Sequence, residues 1–334
     1  MYRIIEAPSW DKGDAVKPGV IVRQAEGSVA GKANDLPVND PLYSQQRPYL
    51  KLAGVPAAWE RMASATVARR KVTVALIDSG VERDHPDLVG NVVPGYNVIK
   101  KTTDTSDKSG HGTMMAGVVG ATINNSIGIA SVADLVNIMP ISLEKHFDEK
   151  AEADSIDYAI RHKDAMNIKV ILMPISGLVL RMKVEEKIQE AVAAGILVIV
   201  TAGNDAENIT RARRYPCSLT RRVPGMLCVA ATDSTDMTLA AFSNYGNYVD
   251  IAAPGKSIKT TLLSQPYGEF SGTSAASAIV AGVAAILFSI NSNLSPIEAK
   301  ELLKDTSKKG IKLFPGIPLE FGLVYADAAV AKLL

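Results

Sequence analysis

A serine hydroxyl opens the most apolar stretch of the chain. The run Gly272-Thr273-Ser274-Ala275-Ala276-Ser277 is followed by Ala281, Val283, Ala284, Ile286 and Leu287 at helical spacing. Ser274 therefore stands where a helix begins, with one face free to act as a nucleophile. The same pattern suits a plain N-cap, in which the hydroxyl accepts a backbone N–H two or three residues on. Two upstream segments supply what a nucleophilic serine needs. Val72-Thr73-Val74-Ala75-Leu76-Ile77-Asp78 reads as a buried strand ending in a carboxylate, a group that requires a partner away from water. Gly110-His111-Gly112-Thr113 puts an imidazole at the start of a helix. Asp78 would then fix the tautomer and orientation of His111, whose other nitrogen would take the proton of Ser274 as it attacks a carbonyl.

The elements that must position these groups alternate along the chain. After Asp78, apolar runs at 136–141, 168–173, 196–200 and 227–231 read as strands. Helical patterns lie between them at 111–121, 149–162 and 182–194, the last closed by Gly195. Such alternation predicts an α/β fold with a parallel sheet and crossover helices. A hairpin formed by 258–262 and 267–271 leads into Ser274, and two helices at 295–305 and 326–333 end the chain. Residues 1–39 are rich in Gly, Pro, Lys and Asp with little periodicity, and are expected to be an extension or linker with one short strand at Gly19–Arg23.

Composition narrows the function further. The 334 residues are 47% hydrophobic, enough for one large core. Lys plus Arg number 36 against 35 for Asp plus Glu, a net charge of +1, and aromatics are only 5%. That balance gives no support to nucleic-acid binding. No charge interrupts residues 270–297, but serines and asparagines scattered through the stretch argue for a buried helix and not a membrane span. The N-terminus lacks the apolar core of a signal peptide. Cys217 and Cys228 are close enough in sequence for a disulfide, with two unpaired core thiols as the alternative. The bridge and the sequons at Asn208 and Asn293 favour a secreted or secretory-pathway protein.

The three motifs, in the order Asp, His, Ser, resemble those of the subtilisin-like serine proteases, or subtilases, for which that order is known. A fourth match is Thr201-Ala202-Gly203-Asn204 after an apolar strand. The resemblance runs from Asn39-Asp40-Pro41-Leu42-Tyr43 to the C-terminus. It implies a three-layer, doubly wound, mainly parallel sheet with helices on both faces, and a catalytic domain over residues 40–334. It also implies a monomeric serine endopeptidase acting on polypeptides, with residues 1–39 as a possible remnant of an inhibitory propeptide. Asn204 would lend its amide to the oxyanion hole. Ile123-Asn124-Asn125-Ser126-Ile127-Gly128-Ile129 resembles a calcium loop. Its ligands would be the side chains of Asp40, Asp87 and Asn125 and the carbonyls of Ile123, Ile127 and Ile129, unless the segment is a plain Asn-rich turn. Ile175, Ser176 and Gly177, with Ala202 and Gly203, would bind substrate, and Asp205 and Glu207 would favour basic or polar side chains there. The chain departs from the family at Pro174 in the substrate-pairing strand, at Ala275 where Met is usual, and at Ala278-Ile279 where Pro-His is usual. The arginines at 211, 213, 214, 221 and 222 are expected in a solvated loop, and His85, His146 and His162 outside any metal site. A peptide ligase using the same acyl-enzyme, and a catalytically silent relative serving as a binding module, are the competing readings.

Overall fold

A computed structural model describes residues 38–313 and 316–334. The expected extension and its strand at Gly19–Arg23 lie outside the described residues, apart from Val38 and Asn39. In chain order the elements are α1 (Tyr43–Leu52), α2 (Val55–Ser64), β1 (Val72–Asp78), β2 (Tyr96–Asn97), α3 (His111–Gly120), β3 (Val136–Ser142), α4 (Glu149–Met166), β4 (Ile168–Met173), α5 (Met182–Ala193), β5 (Leu197–Thr201), β6 (Met226–Thr232) and β7 (Ile251–Pro254). The hairpin β8 (Ile258–Thr261) and β9 (Tyr267–Phe270) follows, then α6 (Thr273–Ile290), α7 (Pro296–Asp305), β10 (Lys312–Leu313), β11 (Ile317–Pro318), β12 (Gly322–Leu323) and α8 (Ala326–Ala331).

Eight strands pair in the order β12-β7-β6-β5-β4-β1-β3-β2, each pair parallel. From β1 the chain steps to β3 on one side and then to β4 on the other. Strand order reverses there, opening a crevice beyond the carboxyl ends of the strands, where ligand sites form in such sheets. Asp78 is the last residue of β1 and faces that crevice edge.

The alternation of β1 explains the three layers. Val72, Val74 and Leu76 enter a core shared with α3 and α6, whereas Ala75 and Ile77 enter the core beneath α4 and α5. Helix α6 is apolar on all sides and long enough to cross a membrane, yet 94% of it is buried within the protein. It runs through the interior as a central support, which is why its sequence lacks a polar face.

The expected strands and helices are present with ends shifted by a few residues. Helix α4 continues to Met166, four residues beyond the expected end, and is closed by Asn167 in the left-handed region at φ 50°. His162 lies on this helix, its Nδ1 2.8 Å from the Tyr158 carbonyl and its ring stacked on that tyrosine. Helices α1 and α2 and the short strands β2, β7, β10, β11 and β12 were not foreseen. Helix α1 is polar and carries Pro48, and it is anchored by Gln46, whose amide donates to the Ala130 carbonyl and accepts from the Ala130 N–H, each at 2.8 Å. Helix α2 is short, and β7 is a four-residue strand made visible only by its pairing with β6.

Cys217 and Cys228 form a disulfide with a Cα–Cα separation of 5.1 Å, fully buried beside the β6 edge. Replacing both cysteines with serine is expected to lower unfolding free energy by about 2–3 kcal/mol through the freed loop. Urea denaturation of the double variant would check this.

Candidate active site

The turn after β1 and the first turn of α3 meet at the sheet's carboxyl edge. His111 Nδ1 lies 2.8 Å from Asp78 Oδ2 and 2.9 Å from Oδ1, with both side chains 1% exposed. The Ser79 N–H donates to Asp78 Oδ1 at 2.7 Å. Burial pushes the His111 pKa down most, and the charge of Asp78 with its hydrogen bond overcomes this, so the imidazole ends above its ordinary value. The rings of Phe270 and His111 meet edge to face at 82° with their centres 5.6 Å apart. His111 Nε2 is buried with no protein partner, and so is Ser274 Oγ, two groups left open for chemistry.

The approach of α3 to β1 depends on Gly112, where a Cβ would lie 2.0 Å from the Gly80 carbonyl oxygen and 3.2 Å from Asp78 Cβ. Asp107 fastens the same junction. Its carboxylate accepts from the Ser79 hydroxyl at 2.8 Å, from the N–H groups of Ser109, Gly110 and Thr113 at 3.0, 2.9 and 2.9 Å, and from the Thr113 hydroxyl at 2.8 Å. Ser79 Oγ in turn accepts the Gly112 N–H at 3.0 Å. Asp107 and Ser79 are positioning residues that the sequence reading missed. An Asp four residues before a helical His was the available signal, in its resemblance to a cap for the first turn.

Ser274 is the second residue of α6, so its N–H has no carbonyl one turn back within the helix. Asn204 follows β5, and its Oδ1 accepts the N–H and the hydroxyl of Thr273 at 2.9 and 2.7 Å. With the oxygen so held, the amide nitrogen turns toward Gly272, where an added Cβ would sit 3.1 Å from it. Asn204 is thus fastened to the two residues that precede Ser274.

The expected substrate-binding residues are adjacent but unequally available. The side chains of Ile175 and Ala202 are fully buried in the core, and the Ala202 carbonyl accepts from Asn244 Nδ2. Gly177 exchanges both backbone bonds with Tyr215 at 2.8 Å, so this glycine cannot also pair with an incoming strand. Gly203 uses its N–H on the Thr273 hydroxyl and its carbonyl on the Asn244 N–H. Ser176 keeps a buried hydroxyl with no partner, placed 2.9 Å from where a Gly203 side chain would begin. Asp205 and Glu207 do not present free carboxylates as expected. Arg214, its side chain only 9% exposed, ion-pairs with Asp205 at 3.1 Å and Glu207 at 2.7 Å. Arg214 therefore departs from the solvated loop expected for it, while Arg211, Arg213, Arg221 and Arg222 are exposed.

Residues 123–129 form a loop around Asp40 and Asp87. Asp40 accepts the N–H groups of Asn124 and Asn125 at 3.0 and 3.3 Å, and Asp87 accepts Asn125 Nδ2 at 2.8 Å and the Ile129 N–H at 2.9 Å. Burial raises both carboxyl pKa values, and Asp40 raises that of Asp87 further. Positive φ at Asn124, Ser126 and Gly128 alternates along the loop. Among the described residues, no donor reaches the carbonyls of Ile123, Ile127 or Ile129. Two buried carboxylates, an amide and three unpartnered carbonyls make an oxygen set of the kind a hard cation takes. His85 supports it as a neutral ring, accepting the Asp87 N–H at Nδ1 and donating Nε2–H to the Pro266 carbonyl.

Comparison with known proteins identifies the family. The model of the Subtilase family matches residues 69–323. Thermitase of Thermoactinomyces vulgaris is 33% identical over 264 residues, 78% of this chain and 88% of that protein. Subtilisin NAT of Bacillus subtilis subsp. natto is 33% identical over 244 residues, 71% of this chain and 60% of that protein. Among solved structures, a protease of Pseudoalteromonas arctica superposes with a TM-score of 0.76 at 27% identity, over 90% of this chain and all of the other. A cold-adapted subtilisin-like serine proteinase gives 0.65 at 28% identity, over 79% and 91%. The chain belongs to the subtilase family of serine proteases.

Gly112→Ala should drive α3 off β1 and lengthen the His111–Asp78 contact. The low-field proton resonance of the His111 Nδ1–H is expected to be lost or shifted upfield in this variant, and an unchanged resonance would show that the approach tolerates the methyl group.

Proposed function

We propose that Asp78, His111, Ser274 and Asn204 carry the proteolytic chemistry of this chain, as a peptide-bond hydrolysis through an acyl-enzyme. The observation that carries the assignment is the buried His111–Asp78 pair, whose Nε2 has no partner, together with a buried Ser274 hydroxyl that has none either. Ser274 Oγ attacks the scissile carbonyl carbon as its proton passes to His111 Nε2, and Asp78 steadies the resulting imidazolium at Nδ1–H. The carbonyl oxygen becomes an oxyanion that accepts from Asn204 Nδ2 and the Ser274 N–H. Collapse breaks the C–N bond, and the leaving amine takes the proton from His111. Water, deprotonated by the same nitrogen, then attacks the ester and releases the acid, returning the proton to Ser274 Oγ.

The oxygen set around Asp40 and Asp87 supports calcium as a structural ion. Bound there, it would join the segment before α1 to the loop after α3 by neutralising two buried carboxylates. Packing supports a catalytic domain that starts near Asp40, since Val38 and Tyr43 enter the main core, with residues 1–39 as an extension or the tail of an inhibitory propeptide. The disulfide favours an oxidising, secretory compartment.

A fluorophosphonate probe followed by intact mass tests the assignment. One adduct is expected on the parent protein and none on Ser274→Ala, whereas labelling of both would place the nucleophile elsewhere. Because the His111 pKa is raised and the base must be neutral, kcat/KM should fall as pH drops through that raised value, and Asp78→Asn should cost on the order of 10⁴ in kcat. Asn204→Ala is expected to lower kcat by about 10²–10³ with little change in KM. A calcium chelator should lower the melting temperature of the parent but leave that of Asp87→Ala unmoved, as read by differential scanning calorimetry.

A further inference from the structure

A cavity of about 240 Å³ opens beside the catalytic pair. Its inner wall includes Ser79, which follows Asp78, and Ser109, two residues before His111. An extended peptide advances about 3.3 Å per residue, so a chain crossing His111 would bring a side chain to this cavity within about two residues of the bond being cut. The rim is basic: Lys100, Lys108, Lys145 and His146 line it, against one carboxylate, Glu144. Glu144 is already engaged, 2.5 Å from Lys100 and accepting from Asn97 Nδ2 at 3.0 Å. Lys108 and Lys145 are exposed and in no ion pair among the described residues. Asp104, which feels the charge of Lys108, lies outside the cavity wall and holds the N–H and hydroxyl of Ser106, and Asp107, next to Lys108 in sequence, is buried and taken up by its own five donors. In a chain whose net charge is only +1, this wall concentrates positive charge. The flank beyond Asn204 is of the other kind, two carboxylates sharing the single guanidinium of Arg214.

We propose that the cavity is a substrate subsite that selects an acidic side chain, Asp or Glu, within about two residues of the scissile bond, with Lys108 and Lys145 as its specificity-determining residues. This rests on the reading of Asp78, His111 and Ser274 as the reacting centre. Lys100 contributes less because Glu144 neutralises it, and Ser109 offers its hydroxyl to one of the carboxylate's remaining lone pairs, the Ser79 hydroxyl being taken by Asp107. The volume admits a glutamate side chain with waters, so the interaction is wet, long-range and sensitive to salt.

Peptide binding by Ser274→Ala, measured by fluorescence anisotropy, tests the proposal without turnover. Pairs of otherwise identical labelled peptides carry Glu or Gln at each of the positions flanking the cleaved bond. At one position the Glu member should bind about fivefold tighter, as a pair of exposed charges allows. That ratio should approach one at about 1 M salt, where the Debye length is about 3 Å. It should also vanish in Lys108→Gln/Lys145→Gln and invert in Lys108→Glu/Lys145→Glu. Equal affinities throughout, no binding of either member, or a preference that survives both double substitutions would overturn it. Labelling of the parent enzyme by the fluorophosphonate is read separately. A Glu preference with no labelling would refute the reaction and leave the subsite standing.

Discussion

A carboxylate at the buried end of a central strand cannot stand alone, and the neighbourhood of Asp78 is organised around that constraint. Removing such a group from water costs several kcal/mol, recovered only by close and well-directed donors. The Ser79 N–H supplies one and His111 the other. To deliver the imidazole, α3 must lie almost against β1, and this requires the absence of a side chain at Gly112 and the lacing of the junction by Asp107 and Ser79. The chemistry and the packing are therefore one arrangement: the groups that orient the base also hold the helix to the sheet.

The same economy is visible on the nucleophile's side. Thr273 donates twice to Asn204, fixing the orientation of its amide, and its hydroxyl also receives the Gly203 N–H. Elements from opposite sides of the strand reversal, β1 with α3 and β5 with α6, converge because all end or begin at the carboxyl edge of one parallel sheet. The fold has no need of a mobile loop to bring them together.

Much of this was legible in the chain. Asp78, His111 and Ser274 each sit at a junction between an apolar run and a turn, so their local patterns announced both element and position. A parallel sheet with crossover helices followed from the alternation of strand and helix periods, and its doubly wound, three-layer form from the family resemblance. What stayed hidden depended on partners distant in sequence. Asp107 lies in the polar stretch 102–109 and looks there like any surface acid, and its five donors exist only once β1 and α3 meet. Asp205 and Glu207 read as open charges because nothing local marks Arg214 as their shared, buried counter-ion. Helix α1 escaped notice because Gln46, Arg47, Pro48 and Lys51 break up the face that buries Tyr43, Tyr49 and Leu50, and Gln46 is held by an amide pairing with the backbone of Ala130 that sequence does not reveal.

The burial of α6 carries a consequence for how the protein is made. Its sheet has only parallel strands, and the helix with Ser274 at its tip packs across β1, β4, β5, β6 and β7. A chain emerging from the ribosome holds Asp78 and His111 long before Ser274 exists, and even then lacks the interior that would seat the helix until α6 has been synthesised whole. Topologies of this kind assemble slowly, since distant segments must meet before any contact rewards them. The order of the chain thus acts as a delay: the helix that completes the core, and Ser274 with it, arrives only after most of the sheet has been made.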